Sequence, residues 1–145
     1  MTHISDFSKS DYKIAIVVNP ALSIGFLANS IAAIAIGLGA AQPKLGDQVL
    51  TDQDGFEIKN SADRAIPILQ ADEEALKSLL LRANERPKSA QLVAFPAFAR
   101  SLHSFDEYWS VFPTKSLRAE KIDGLGFCGP SKWIRSLTGS LKLLR

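Results

Sequence analysis

The residues of this chain that could do chemistry are few and scattered. His103, Asp106 and Glu107 fall within about one helical turn of each other, close enough to serve as an acid–base pair or to offer two metal ligands. A competing reading is that Ser104 and Glu107 make a capping box at a helix start, which occupies the acid and leaves His103 on the surface. Cys128 is the single cysteine and lies in the apolar stretch LGFC. It reads first as a small buried hydrophobe and second as a nucleophile. Asn29 and Ser30 are a polar pair inside an apolar segment. A buried amide there must satisfy two donors and an acceptor, through a ligand or through neighbouring backbone. Asn29, His103 and Cys128 are therefore the candidate catalytic groups. No Gly-x-Ser-x-Gly elbow, phosphate loop or His-Glu-x-x-His accompanies them.

Candidates for binding follow from position. Asn19-Pro20 ends an apolar strand next to a helix start, and ligands of open α/β sheets gather outside the strand C-termini. This makes Asn19, Asn29 and Ser30 one candidate ligand region. Gly129-Pro130-Ser131-Lys132 opens a later helix, where free amides and the Lys132 cation could hold an anion, Gly129 and Ser131 with them; the plain alternative is a strand-to-helix turn. Gly124, Gly126 and Gly129 spell G-x-G-x-x-G, but no acid follows at the spacing a dinucleotide site needs. Asp52-x-Asp54-Gly55 has the start of a calcium loop without its closing glutamate, and a hairpin turn accounts for it. Nothing in the sequence asks for a cofactor or a metal.

The elements that must position these residues are legible in the patterning. Residues 1–11 read as a loose arm, and 12–145 as one domain. Lys13 to Val18 is a central strand, apolar on both faces, and the Ala- and Gly-rich segment from Ile24 to Ala41 is a buried helix after a Ser23 cap. Ile14 to Pro43 carries no charge, yet Pro20 interrupts it, so strand plus helix explains the run better than a membrane span. Two short strands, Gln48 to Thr51 and Phe56 to Ile58, flank Asp54-Gly55. Ala65 to Leu69 is a strand that Pro67 assigns to an edge or a bulge. Asp72 to Glu85 is an amphipathic helix with Leu76, Leu79, Leu80 and Ala83 on one face. Gln91 to Phe95 is a second buried strand. Phe105, Tyr108, Trp109 and Phe112 are the apolar stripe of a short helix, Leu125 to Cys128 is the last strand, and a final helix runs to about Leu137. Alternating strands and helices imply a layered α/β fold.

Composition adds limits. Of 145 residues 46% are hydrophobic and 22% charged, which is globular rather than disordered. The net charge of +2 divides into +5 from Thr114 onward, seven basic residues against two acidic ones, and −3 before it. A basic end could meet phosphate, though a solvated face is the favoured reading, so RNA is a disfavoured partner. One cysteine excludes an intrachain disulfide and fits a reducing compartment, and the polar N-terminus MTHISDFSKSDYK lacks a signal peptide's apolar core. The expectation is a cytoplasmic protein.

Two blocks carry a resemblance. KIAIVVNPALSIGFLANSIAA, from Lys13 to Ala33, resembles the opening strand, turn and helix of type II peptidyl-tRNA hydrolases. LGFCGPSKWIRSLTGSLKLLR, from Leu125 to the end, resembles their closing strand, Gly-Pro turn and Thr-Gly-x-Leu-Lys-Leu tail. The whole chain is more similar still to the family called domain of unknown function two thousand, through LANSIAA, TDQDG, IPILQA and LTGSLKLLR. The resemblance implies a three-layer sandwich, a mixed β-sheet flanked by helices, of the peptidyl-tRNA hydrolase type II kind. It does not bring the chemistry with it. Where those hydrolases have Gly-Lys-x-Ala-Ala-Gln and a nearby histidine, this chain has Gly25 with Phe26 for the lysine, Ser30 for the glutamine and Ala33 near the histidine. Phe95-Pro96-Ala97 lies in the region of their Asp-Ala-Gly stretch. The expected function is therefore binding of a small ligand or a partner, with a homodimer among the options. The alternative is a hydrolase for an ester or amide, such as peptidyl-tRNA, using substitute groups.

Overall fold

A computed structural model describes residues 11–145. The expected arm, apart from Asp11, lies outside the described residues. A five-stranded mixed sheet has the order β5-β6-β1-β4-β7, with β1 at Tyr12–Val18, β4 at Ile68–Gln70, β5 at Gln91–Pro96, β6 at Ile122–Pro130 and β7 at Lys142–Leu143. Only β1 and β4 run parallel; β6 runs antiparallel to both β1 and β5. A separate ribbon pairs β2 (Val49–Thr51) with β3 (Glu57–Lys59).

Why β1 is apolar on both faces follows from its place in the middle of the sheet. Ala15 and Val17 point to one side, where α2 (Glu73–Ala83) and α4 (Ser131–Thr138) supply Leu76, Leu79, Ile134 and Leu137. Ile14, Ile16 and Val18 point to the other, where α1 (Ile24–Ala41) supplies Ile34 and Leu38. Helices thus cover both faces, which makes three layers. The glycines of β6 let α1 lie close. A Cβ on Gly126 would collide with Ile34, and one on Gly124 would come within 3.0 Å of Ile34 and Val18. The first two glycines of the G-x-G-x-x-G letters thus serve α1 packing, and the third, Gly129, lies against Ala90 and Trp133.

Three expectations need correction. Helix α1 is largely exposed: only Ser30, Ile34 and Leu38 are buried, because it touches the sheet along one narrow line. By length and composition it is apolar enough to cross a membrane, yet that line is seated on the sheet. β5 is an edge strand with mostly half-buried residues, since no described strand pairs beyond it. β4 begins after Pro67 and lies inside the sheet, because β7 adds a further strand at Leu69 and Gln70. The carbonyl of Pro67 accepts from Ile16 N at 3.0 Å, so this proline joins the sheet through its acceptor alone.

Candidate functional site: an aromatic cavity at the sheet edge

Ser104 caps α3 (Phe105–Val111), its hydroxyl accepting from Glu107 N at 3.1 Å. The Glu107 carboxylate in turn accepts from His103 N at 2.7 Å. The capping box therefore takes the acid, and the His103 side chain stands exposed at the helix entrance. Fixing this end of α3 aims its aromatic stripe at the sheet. The stripe does not close the gap. No residue of α3 is buried, and Phe105 and Trp109 are 68% and 71% exposed.

A cavity of about 480 Å³ remains between the stripe and the sheet. Phe105, Tyr108, Trp109 and Phe112 form its outer wall, and Leu80 of α2 with Leu92 and Ala94 of β5 form its floor. The aromatic wall is itself a packed array. Tyr108 meets Phe112 edge-on at 5.6 Å between centroids, Phe98 backs both at about 6 Å, and Lys115 Nζ sits 5.4 Å over the Phe98 ring. The Tyr108 hydroxyl and the Trp109 indole N–H are the only polar side-chain groups in the lining. Burial pushes the Tyr108 phenol above its ordinary value, so it stays a neutral donor at physiological pH.

The other candidates lie elsewhere. Asn19 closes a turn, its side-chain oxygen accepting from Ala21 N at 3.0 Å, while its own N–H donates to Asp123 O at 3.1 Å. Asn29 is exposed on α1, so the expectation of a buried amide is corrected; the narrow packing line of the helix passes through Ser30 instead. The Ser30 hydroxyl donates to Phe26 O at 2.8 Å, the ordinary way a buried helical serine is satisfied. Cys128 is fully buried on the α1 side of the sheet, and burial pushes its thiol up to about 11, so at neutral pH it is a protonated core residue. Gly129 pairs with Lys13, and a Cβ there would crowd Ala90 and Trp133. Ser131 N donates to Asp11 O at 2.6 Å, and Lys132 is exposed. Because β1 and β6 are antiparallel, Asn19 and the Gly129–Lys132 turn stand at opposite ends of the sheet, roughly 20 Å apart at strand rise. They are two places, not one. Asp52 serves the ribbon turn, accepting from Asp54 N and Phe56 N, with Gly55 at φ 90°. Among the described residues no three His, Cys, Asp or Glu side chains gather as a metal site would require.

One charged pair escaped the sequence reading. Arg100, in the turn after β5, binds Asp123 through Nε at 2.6 Å and through a terminal nitrogen at 2.8 Å. The same guanidinium lies 4.8 Å from the centre of the Phe26 ring. An acid within the apolar run of β6 was the available signal, since a strand interior keeps a carboxylate only when it is paired.

The model of the family described as "Protein of unknown function (DUF2000)" matches residues 12–145. The chain belongs to this family. The DUF2000 chain is also similar to a solved structure, the protein of unknown function Atu0240 from Agrobacterium tumefaciens str. C58. The likeness has a TM-score of 0.80 at 21% identity, covering 92% of this chain and 97% of that one, and it concerns the fold. No curated protein matches the DUF2000 chain.

Proposed function

We propose that this chain is a binding protein whose cavity beneath α3 takes a ring-bearing, mainly apolar small molecule. The observation that carries this is the aromatic stripe of α3, which stops short of the sheet and leaves about 480 Å³, a size within the range of small-molecule sites. Tyr108 and Trp109 supply donors, so the fitting ligand has one or two acceptor atoms on an apolar body. The retained sequence blocks support kinship in fold with type II peptidyl-tRNA hydrolases, and the lone buried cysteine supports a reducing, cytoplasmic setting.

The test uses 2-naphthol as probe. Titration should quench Trp109 fluorescence saturably and raise the melting temperature. Ala94→Phe, which fills the floor, should abolish both effects while leaving the circular dichroism spectrum intact. Absence of quenching, or quenching that survives Ala94→Phe, would remove the cavity from the account.

A second reading has one observation in its favour. Phe26 stands where the resembled hydrolases have lysine, and Arg100 brings a guanidinium to that same ring from another element. That supports a hydrolase with a relocated cation. Release of peptide from peptidyl-tRNA by the purified protein, lost in Arg100→Gln and kept in part by Arg100→Lys, is its test; no release at high protein concentration retires that substrate.

A further inference from the structure

We infer that the outward face of α1, together with the apolar face of the β2–β3 ribbon, is an interface with a second copy of this chain. Surface helices carry charge on their outer side, and α1 carries none: the whole run from Ile14 to Pro43 is uncharged. Its outward face instead shows Ile24 at 85% and Ile36 at 73% exposure, with Ala28 and Ala32 between them and Asn29 as the polar group.

Two glycines point the same way. A Cβ on Gly25 or Gly39 would meet nothing within 4 Å, whereas Gly37 is needed against Val93. Glycine weakens a helix relative to alanine, and no described residue of the protomer packs against these two. A second backbone crossing close over α1 would.

The ribbon has the same character. Leu50 and Ile58 are cross-strand partners, and Phe56 lies on their side by strand alternation; they are 51%, 63% and 73% exposed. A two-stranded ribbon outside the main sheet is marginal in water unless its apolar face is covered. Its base adjoins α1: Ala35, Leu38 and Gly39 share a cavity of about 220 Å³ with Gly46, Asn60 and Ser61. Helix and ribbon together expose Ile24, Ile36, Leu50, Phe56 and Ile58, each more than half open to solvent, an apolar surface on the scale of the ~800 Å² each partner brings to a standard interface.

The chemistry of the face selects the occupant. In a two-fold interface each residue near the axis meets its own copy, so a charged face repels itself and an uncharged one does not. Asn29 fits this arrangement, since an amide is donor and acceptor at once and can bond its own mate. A helix built to lie on lipid flanks its apolar side with Lys and Arg, which α1 lacks.

Sedimentation equilibrium of the full chain should give twice the 15.8 kDa chain mass at micromolar concentration. Ala32→Glu, which sets like charges across the axis, should return a folded monomer, with the dimer constant weakened at least 100-fold. Ala32→Cys gives a milder check: the native cysteine is buried, so oxidation should link two chains through position 32, and Glu73→Cys on the far side should not link. A wild-type monomer at 100 µM, or a dimer indifferent to Ala32→Glu and unlinked by Ala32→Cys, overturns the inference. So does a monomer that floats with phosphatidylcholine–phosphatidylglycerol vesicles, which would assign the face to lipid.

Discussion

Arg100 holds Asp123 in a two-pronged grip, with hydrogen bonds of 2.6 and 2.8 Å, and only 2% of the carboxylate side chain is exposed. The pair ties the turn after β5 to the start of β6, where Asp123 O also receives Asn19 N. Removing the arginine strands a buried carboxylate, and such a break costs about 3–5 kcal/mol. Water can reach the arginine's side, so Arg100→Ala should fall near the lower end of that range in urea unfolding. Arg100→Lys keeps the charge but not the fork and should land between it and wild type. An unchanged midpoint for Arg100→Ala would mean that Asp123 finds water once the arginine is gone.

Cys128 sets an alkaline limit. Its thiol is raised from 9.0 to about 11 by burial, so the folded state disfavours the thiolate. A raised folded value means that stability is complete below pH 9 and drains away as pH climbs toward 11. The loss is on the order of 2 kcal/mol at about 1.4 kcal/mol per unit. Melting temperatures from pH 8 to 11 should therefore fall less steeply in Cys128→Ala than in wild type. Parallel slopes would remove the thiol as the cause.

Two glycine substitutions should act in opposite directions. Gly126→Ala drives a methyl into Ile34 and crowds Leu38, an overpacking that costs about 1–3 kcal/mol. Gly39→Ala meets nothing and should gain about 0.5–1 kcal/mol of helix stability in dilute, monomeric protein. Thermal melts of both variants, read against wild type at nanomolar concentration, decide the matter.

What the sequence disclosed and what it withheld divide along a physical line. Ser23 and Pro43 mark the ends of α1, although the Ser23 hydroxyl makes no capping bond, and Asp72 starts α2 with its carboxylate accepting from Ala75 N at 2.8 Å. Local signals of that kind survive folding unchanged. The sequence marks β6 only from Leu125 to Cys128, whereas the strand spans Ile122–Pro130, because Asp123 and the glycines disguise a strand whose needs are set by Arg100 and Ile34. The stripe of α3 was legible as a helix face. That it would halt short of Leu92 and leave a cavity was not, since that depends on how the flanking turns hold α3 away from β5. Asn29 stood out for a burial it does not have. Apolar neighbours in sequence made it look interior, while the sheet covers only one line of α1.

The place of β6 between β1 and β5 also governs how the chain meets the ribosome. β1 is made first, yet one of its two neighbours is not translated until residues 122–130. Until then the uncharged run from Ile14 to Pro43 has no completed sheet to lie on, and the nascent chain carries it exposed until β6 has been made. Folding must wait for a long-range closure, the slow step for topologies of this kind. Slow decoding between residues 44 and 121 would lengthen that wait and raise the demand for holding chaperones, whereas slow decoding before residue 14 would leave it unaltered.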